Sequence, residues 1–169
     1  MILVTVGTHE QPFDRLISAA AAFEGDEPLV VQYGVSRVPH GRGEWIDFLS
    51  FDDLAQLAEQ ARAVVCHAGV GSIVLARRYG HRPVVMARRP HLGEHVDEHQ
   101  LSLTRRLADA GLVTAVETAA ELTAAVAAEA IAPAAPAATS MSGPSALSAD
   151  VRRVLFGLGA SPAPAARAA

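Results

Sequence analysis

The chain is poor in cysteine, in basic blocks and in long apolar runs, and each scarcity narrows what it can be. One cysteine in 169 residues leaves no partner for an internal disulfide and fits a reducing compartment. Cys66 reads as a small buried hydrophobe rather than a reactive thiol. No apolar stretch approaches the roughly 20 residues that a membrane-spanning helix requires. A net charge of −4 without a basic cluster argues against nucleic acid as the main partner. The opening MILVTVG is β-type and carries no basic leader, so no signal peptide is expected. No internal repeat is present. What remains is 50% hydrophobic, enough for the core of one compact cytoplasmic domain.

Apolar runs alternate with helical patterns. Residues 2–6, 29–32, 45–48, 64–66, 83–86 and 112–116 read as short strands. Phe13, Leu16, Ile17 and Ala20 recur at helical spacing, and further helices are expected over 52–60, 72–79, 97–110 and 119–130. Strands alternating with helices of this length imply right-handed crossovers and an α/β domain with a doubly wound, Rossmann-like parallel sheet over residues 1–130. An Ala/Pro/Ser-rich linker is expected at 131–146. A helix at 147–158 would put Leu147, Val151, Val154 and Leu155 on one face. The low-complexity tail 159–169 is expected to be disordered.

Residues 64–100 carry the most chemistry. A buried strand runs into the small-residue turn HAGVGS (His67, Ala68, Gly69, Val70, Gly71, Ser72) and then a helix. Such a helix start presents unclaimed N–H groups and the positive end of its dipole, a seat for phosphate. The polar segment LGEHVDEHQ follows the next strand, so both reach the carboxyl edge of a parallel sheet, where open α/β folds bind ligands. The same segment also matches the H-x-x-E-H pattern of a zinc hydrolase through His95 and His99, with Glu98 as base. Its place after a parallel strand and the lack of a third ligand weigh against that alternative, so no metal is expected; non-catalytic binding by His91, His95 and His99 has no further support. Arg88 and Arg89 are open to two readings, contact with phosphate or an acidic sugar, or a solvated basic loop. Asp14 and Arg15 read as an exposed helix start.

VTVGTHEQPFDRLI, HAGVGS, GHRPVVMARR and LGEHVDEHQ, in that order, resemble the C-terminal, donor-binding half of GT-B glycosyltransferases of family 28 over about residues 1–125. The likeness is to the short free-standing chains of bacterial exopolysaccharide and capsule synthesis, which pair with a separate membrane-associated subunit. The two subunits of the eukaryotic dolichol-linked N-acetylglucosamine transferase pair in the same way. The resemblance implies a single GT-B half domain and an inverting, metal-independent transferase with a UDP-sugar as substrate and no cofactor. It implies an acceptor that is lipid-linked or a growing polysaccharide, a membrane-anchored partner subunit, and a place at the inner face of the membrane through that partner. By the same resemblance Gly69, Val70, Gly71 and Ser72 would hold the pyrophosphate beside Ala68, with His67 donating to it. Gly7 and Thr8 would form a second backbone cradle. Gln100 and His99 would hold sugar hydroxyls, and Glu94, His95 and Asp97 would line the same pocket. His9 is the nearest candidate for a catalytic base, although in two-lobed relatives the base comes from the other lobe. Many relatives carry a ribose-binding glutamate where this chain has Leu75, and that departure keeps open a non-catalytic, nucleotide-binding regulatory module.

Overall fold

The computed structural model describes residues 1–39 and 41–129; the expected linker, C-terminal helix and tail lie outside the described residues. The elements run β1 (Ile2–Thr5), α1 (Asp14–Ala21), β2 (Leu29–Gln32), β3 (Glu44–Ile46), α2 (Phe51–Gln60), β4 (Ala63–His67), α3 (Val70–Arg78), β5 (Val84–Met86), α4 (His99–Asp109), β6 (Thr114–Val116) and α5 (Ala119–Glu129). All strand pairs are parallel, in the order β3-β2-β1-β4-β5-β6. This is the doubly wound, Rossmann-like sheet that the alternation implies.

Strand side chains alternate between two helical layers, which is why these strands read as continuous apolar runs. Val4, Val31, Val65 and Met86 point to one face and pack with Phe13, Leu16 and Ile17 and with Leu122 of α5. Leu3, Val30 and Val64 point to the other and pack with Ala58 of α2 and with Leu75 and Ala76 of α3. Cys66 and Val85 continue that layer against Ile73, Leu103 and Leu107. Burying each such Val or Leu contributes about 1.5–3 kcal/mol. Local signals set two helix starts. The Ser50 hydroxyl accepts the Asp53 N–H at the head of α2. Before α5, Thr118 and Glu121 exchange side-chain-to-backbone hydrogen bonds as a capping box.

The strand expected at 45–48 lies instead at Glu44–Ile46. Phe48 therefore falls beyond the sheet, 64% exposed. An apolar residue after a strand extends the β pattern whether it faces the core or a ligand cleft.

Candidate functional site

β1 and β4 are neighbours at the centre of the sheet. The chain leaves them for opposite faces, since α1 packs in the first layer and α3 in the second. This divergence opens a crevice at the carboxyl ends of the two strands. A cleft of about 370 Å³ occupies it. Thr8, His67, Gly69 and Ser72 line its polar end, and Phe48, Leu49, Phe51, Leu54 and Leu75 its apolar end.

The polar end is built on the start of α3. Gly69 is the N-cap and supplies no side-chain cap, while its carbonyl accepts the Ile73 N–H at 3.1 Å. Among the described residues no hydrogen bond claims the N–H groups of Val70, Gly71 and Ser72, which face the positive end of the helix dipole. The Ser72 hydroxyl lies on the same wall. His67, the last residue of β4, packs between two glycines. A Cβ on Gly7 would stand 2.4 Å from its Cε1, and one on Gly69 2.2 Å from its Nε2. Gly7 also has φ +73°, a conformation that disfavours any side chain. The glycines thus let both loops close onto one imidazole. Burial first, and then the Arg88 charge, lower the His67 pKa to about 4, so the ring is neutral at neutral pH.

The expected second cradle is only half present. The Gly7 N–H is already bonded to Gln32 Oε1 at 3.1 Å, with Thr5 Oγ1 at 3.2 Å. Gln32 in turn donates to the carbonyls of Gly7 and Asp47. This buried amide ties the ends of β1, β2 and β3 together, so Gly7 lines the cleft beside Thr8 with its N–H and carbonyl already engaged. Nothing in the sequence pattern marks Gln32, which reads as the polar end of an apolar strand.

Arg88 fits neither of its two readings. It is fully buried, at 0% exposure. Its guanidinium donates to the carbonyls of Val6, Gln11, Pro12 and Glu94 and lies 4.7 Å over the Phe13 ring. It therefore joins the loops after β1 and β5 and places a cation beneath the cleft, where burial lowers its pKa to about 10. Arg89, in contrast, pairs at 2.8 Å with Glu117.

Two residues expected at the sugar face inward instead. The Gln100 side chain, 3% exposed, accepts the Arg88 N–H through Oε1 at 3.2 Å. Glu94 is buried too: its carboxylate takes a two-pronged bond from Arg15 at 3.0 and 2.9 Å and the Arg89 N–H at 2.8 Å. Arg15 is accordingly a structural bridge between α1 and the β5 loop rather than a solvated helix start. Neither Gln100 nor Glu94 lines the cleft.

His9, His95 and His99 gather with Asp97 into a separate cluster, and none of the four lines the cleft. His9 and His95 rings are 4.7 Å apart, as are those of His95 and His99. The Asp97 carboxylate lies 3.4 Å from His95 and also bonds His99. Burial, followed by the neighbouring His95 and Arg88, lowers the His9 pKa. His9 Nδ1 accepts the Gln11 N–H at 3.2 Å, so its Nε2 carries the proton in the neutral ring. His9 therefore presents a donor, which is the wrong tautomer for a base. α4 begins at His99, so His95 and His99 do not share a helical face and the zinc-hydrolase pattern loses its geometry. The ligand atoms of His95, Asp97 and His99 nevertheless lie within 4.8 Å of one another and are the residues best placed to hold a cation.

The family model for the glycosyltransferase family 28 C-terminal domain matches residues 1–150. The chain belongs to this family. It is 32% identical over 123 residues to the UDP-N-acetylglucosamine transferase subunit ALG13 of Yarrowia lipolytica, covering 63% of this chain and 60% of that relative. The chain thus spans well under two thirds of that relative's length. The family fold recurs in an NMR structure of ALG13, at 19% identity and TM-score 0.58 over 91% of this chain and 94% of the other. It recurs in the glycotransferase of kitacinnamycin, at 23% identity and TM-score 0.52 over 92% of this chain and 39% of the other. The glycosyltransferase VinC, solved with dTDP, gives 17% identity and TM-score 0.52 over 90% and 36%. In this family member, polar turn, apolar wall and buried arginine all converge on the β1–β4 crevice.

Proposed function

We propose that this chain is the donor-binding subunit of a glycosyltransferase that takes a UDP-sugar. The observation that carries the reading is the two-ended cleft at the strand-order reversal. Unclaimed helix N–H groups and the Ser72 hydroxyl suit a diphosphate, and the wall of Phe48, Leu49, Phe51, Leu54 and Leu75 suits the flat face of a base. No acidic side chain lines the cleft among the described residues, and the Arg88 cation beneath it favours an anion. An acceptor hydroxyl would attack the anomeric carbon, breaking its bond to the diphosphate oxygen. The hydroxyl proton would pass to a base, and UDP would leave with its charge held at the α3 start. No metal takes part in this scheme. UDP names the donor by the family resemblance; the chemistry of the cleft supports a nucleoside diphosphate.

The base and the lid belong to a partner. His9 presents a donor, and the cleft offers no carboxylate. Among the described residues the large exposed hydrophobics, Val35, Val38, Phe48, Phe51, Val70, Leu92 and Val96, sit in loops, in a short 3-10 turn or at helix starts on the carboxyl edge of the sheet that bears the cleft. An apolar rim of this kind supports a second lobe closing over the site and excluding water. Among the described residues no helix is long and apolar enough to cross a membrane. A lipid-linked or polysaccharide acceptor would then be presented by a membrane-anchored partner, which would hold this chain at the inner face of the membrane. The empty ribose position at Leu75 favours, as a second reading, a module that binds nucleotide without transferring sugar.

The test is calorimetric titration of the metal-free chain with UDP. Saturable binding is expected, and Ser72→Ala should weaken it about tenfold, the value of one charge-assisted hydrogen bond. Absence of saturable binding, or equal affinity in the variant, would sink the placement of the pyrophosphate. Transfer to a lipid-linked acceptor by the purified chain alone would sink the partner.

A further inference from the structure

A second, smaller cavity of about 50 Å³ lies where the carboxyl ends of β5 and β6 meet α4. Its wall includes Arg15, Arg89, Arg105, Thr104 and Glu117, none of which lines the donor cleft. A water needs roughly 10–15 Å³ of such space, so the cavity admits a group larger than one water.

The side chains differ in how far they are committed. Arg15 is held by Glu94 and by the carbonyls of Ala87 and Glu117. Arg89 is held by the Glu117 carboxylate, which is 66% exposed. Arg105 has no hydrogen-bond or ion-pair partner among the described residues. Thr104 is 5% exposed, and its Oγ1 is buried without a partner. A buried hydroxyl left unpaired forfeits the hydrogen bonds it would make in water. An oxyanion in the cavity would satisfy it and give Arg105 a counter-charge.

We propose that this cavity is an oxyanion site that takes one phosphate group. Arg89 and Arg105 supply the guanidinium donors, Thr104 donates its hydroxyl, and Glu117 moves aside into solvent. An exposed ion pair such as Arg89–Glu117 contributes little to stability, so a phosphate can replace it readily. Planar guanidinium forks match phosphate oxygens in a way that an ammonium does not. The phosphate can come from a lipid headgroup or from inorganic phosphate. The site shares no residue with the donor cleft, so its existence does not depend on UDP binding.

The experiment is an amide NMR titration of the full chain with inorganic phosphate, at ionic strength held constant with chloride. Saturating shifts are expected at Arg89, Thr104, Arg105 and Glu117. Thr104→Val and Arg105→Ala should each weaken binding about tenfold, and Glu117→Gln should strengthen it by a similar factor. Glu117 and Arg105 are both surface side chains, so these two variants keep the test independent of folding. A missing saturable response, shifts confined to Val70–Ser72, or affinities unchanged in the variants would overturn the proposal. Flotation with phosphatidylcholine vesicles, with and without phosphatidic acid, identifies the source. Capture by phosphatidic acid that Arg105→Ala abolishes makes it a headgroup site; phosphate binding without capture makes it a site for the free anion.

Discussion

At the amino edge of the sheet, the Glu27 carboxylate takes a two-pronged bond from Arg62 at 2.8 and 2.6 Å and meets the Met1 amino group at 3.0 Å. Arg62 also bonds the Val126 carbonyl, and its N–H meets the Met1 carbonyl. At the carboxyl edge, among the described residues, three N–H groups at the start of α3 are unclaimed, Ser72 lines the cleft, and the buried Arg88 guanidinium donates to carbonyls alone while resting on the Phe13 ring. One edge pairs its charges and closes; the other holds its polar groups in place without satisfying all of them. The unclaimed donors are thereby concentrated at the carboxyl ends of the strands, where open α/β sheets bind ligands.

The widest separation should appear between the two arginines. Arg88→Met would leave the buried carbonyls of Val6, Gln11, Pro12 and Glu94 without their donor, at a cost of about 3–5 kcal/mol. Arg62→Met breaks a partly exposed pair and should cost about 1 kcal/mol. Urea midpoints of the two variants measure the difference directly. Equal losses would mean that the carboxyl-edge loops hold their shape without Arg88, and the contrast between the edges would fail.

Acid should unmake the two edges in sequence. The His67 pKa lies at about 4, below its ordinary 6.5. Its neutral form is the one compatible with the fold, so this contribution is complete above pH 6.5 and is lost as pH falls toward 4. Arg62 first, with the Met1 amino group, lowers Glu27 from 4.5 to about 2. That contribution is complete above pH 4.5 and lost as pH falls toward 2. Both groups are partly solvated, so each step is about 1–2 kcal/mol after screening. Stability measured from pH 7 to pH 2 should fall in two stages, with His67→Asn flattening the upper and Glu27→Gln the lower. A single stage, or the two variants acting on the same window, would contradict the assignment.

Much of the fold is legible because its signals are local. Residues 2–4, 29–31 and 64–66 are apolar without interruption because both faces of those strands are covered. The HAGVGS turn declares itself because small residues between a strand and a helix have few other uses. Arg88, Gln32 and Glu94 were not legible, since their partners are carbonyls and charges far away in sequence: Arg88 reaches 82 residues back to Val6 and Arg15 reaches 79 forward to Glu94. A polar residue at a strand end looks the same whether it meets ligand, solvent or a loop from elsewhere. Phe48 misled for the converse reason: hydrophobicity marks removal from water and does not say whether core, base or partner removes it.

The smallest effect on stability, and the sharpest on the site, is expected at Gly71. It is the second residue of α3 and lines the cleft, and a Cβ there would meet no heavy atom within 4 Å. The fold has no need of glycine at this position, and alanine is the better helix former. Gly71→Ala should leave the urea midpoint unchanged or raise stability by a few tenths of a kcal/mol. The added methyl would stand in the space where a phosphate approaches the unclaimed N–H groups, so UDP affinity should fall about tenfold. Gly69 is the internal contrast, because a Cβ there would strike His67 at 2.2 Å and disturb fold and site together. If Gly71→Ala binds UDP as the parent does, the diphosphate is not seated on the α3 start, whatever else the cleft accommodates.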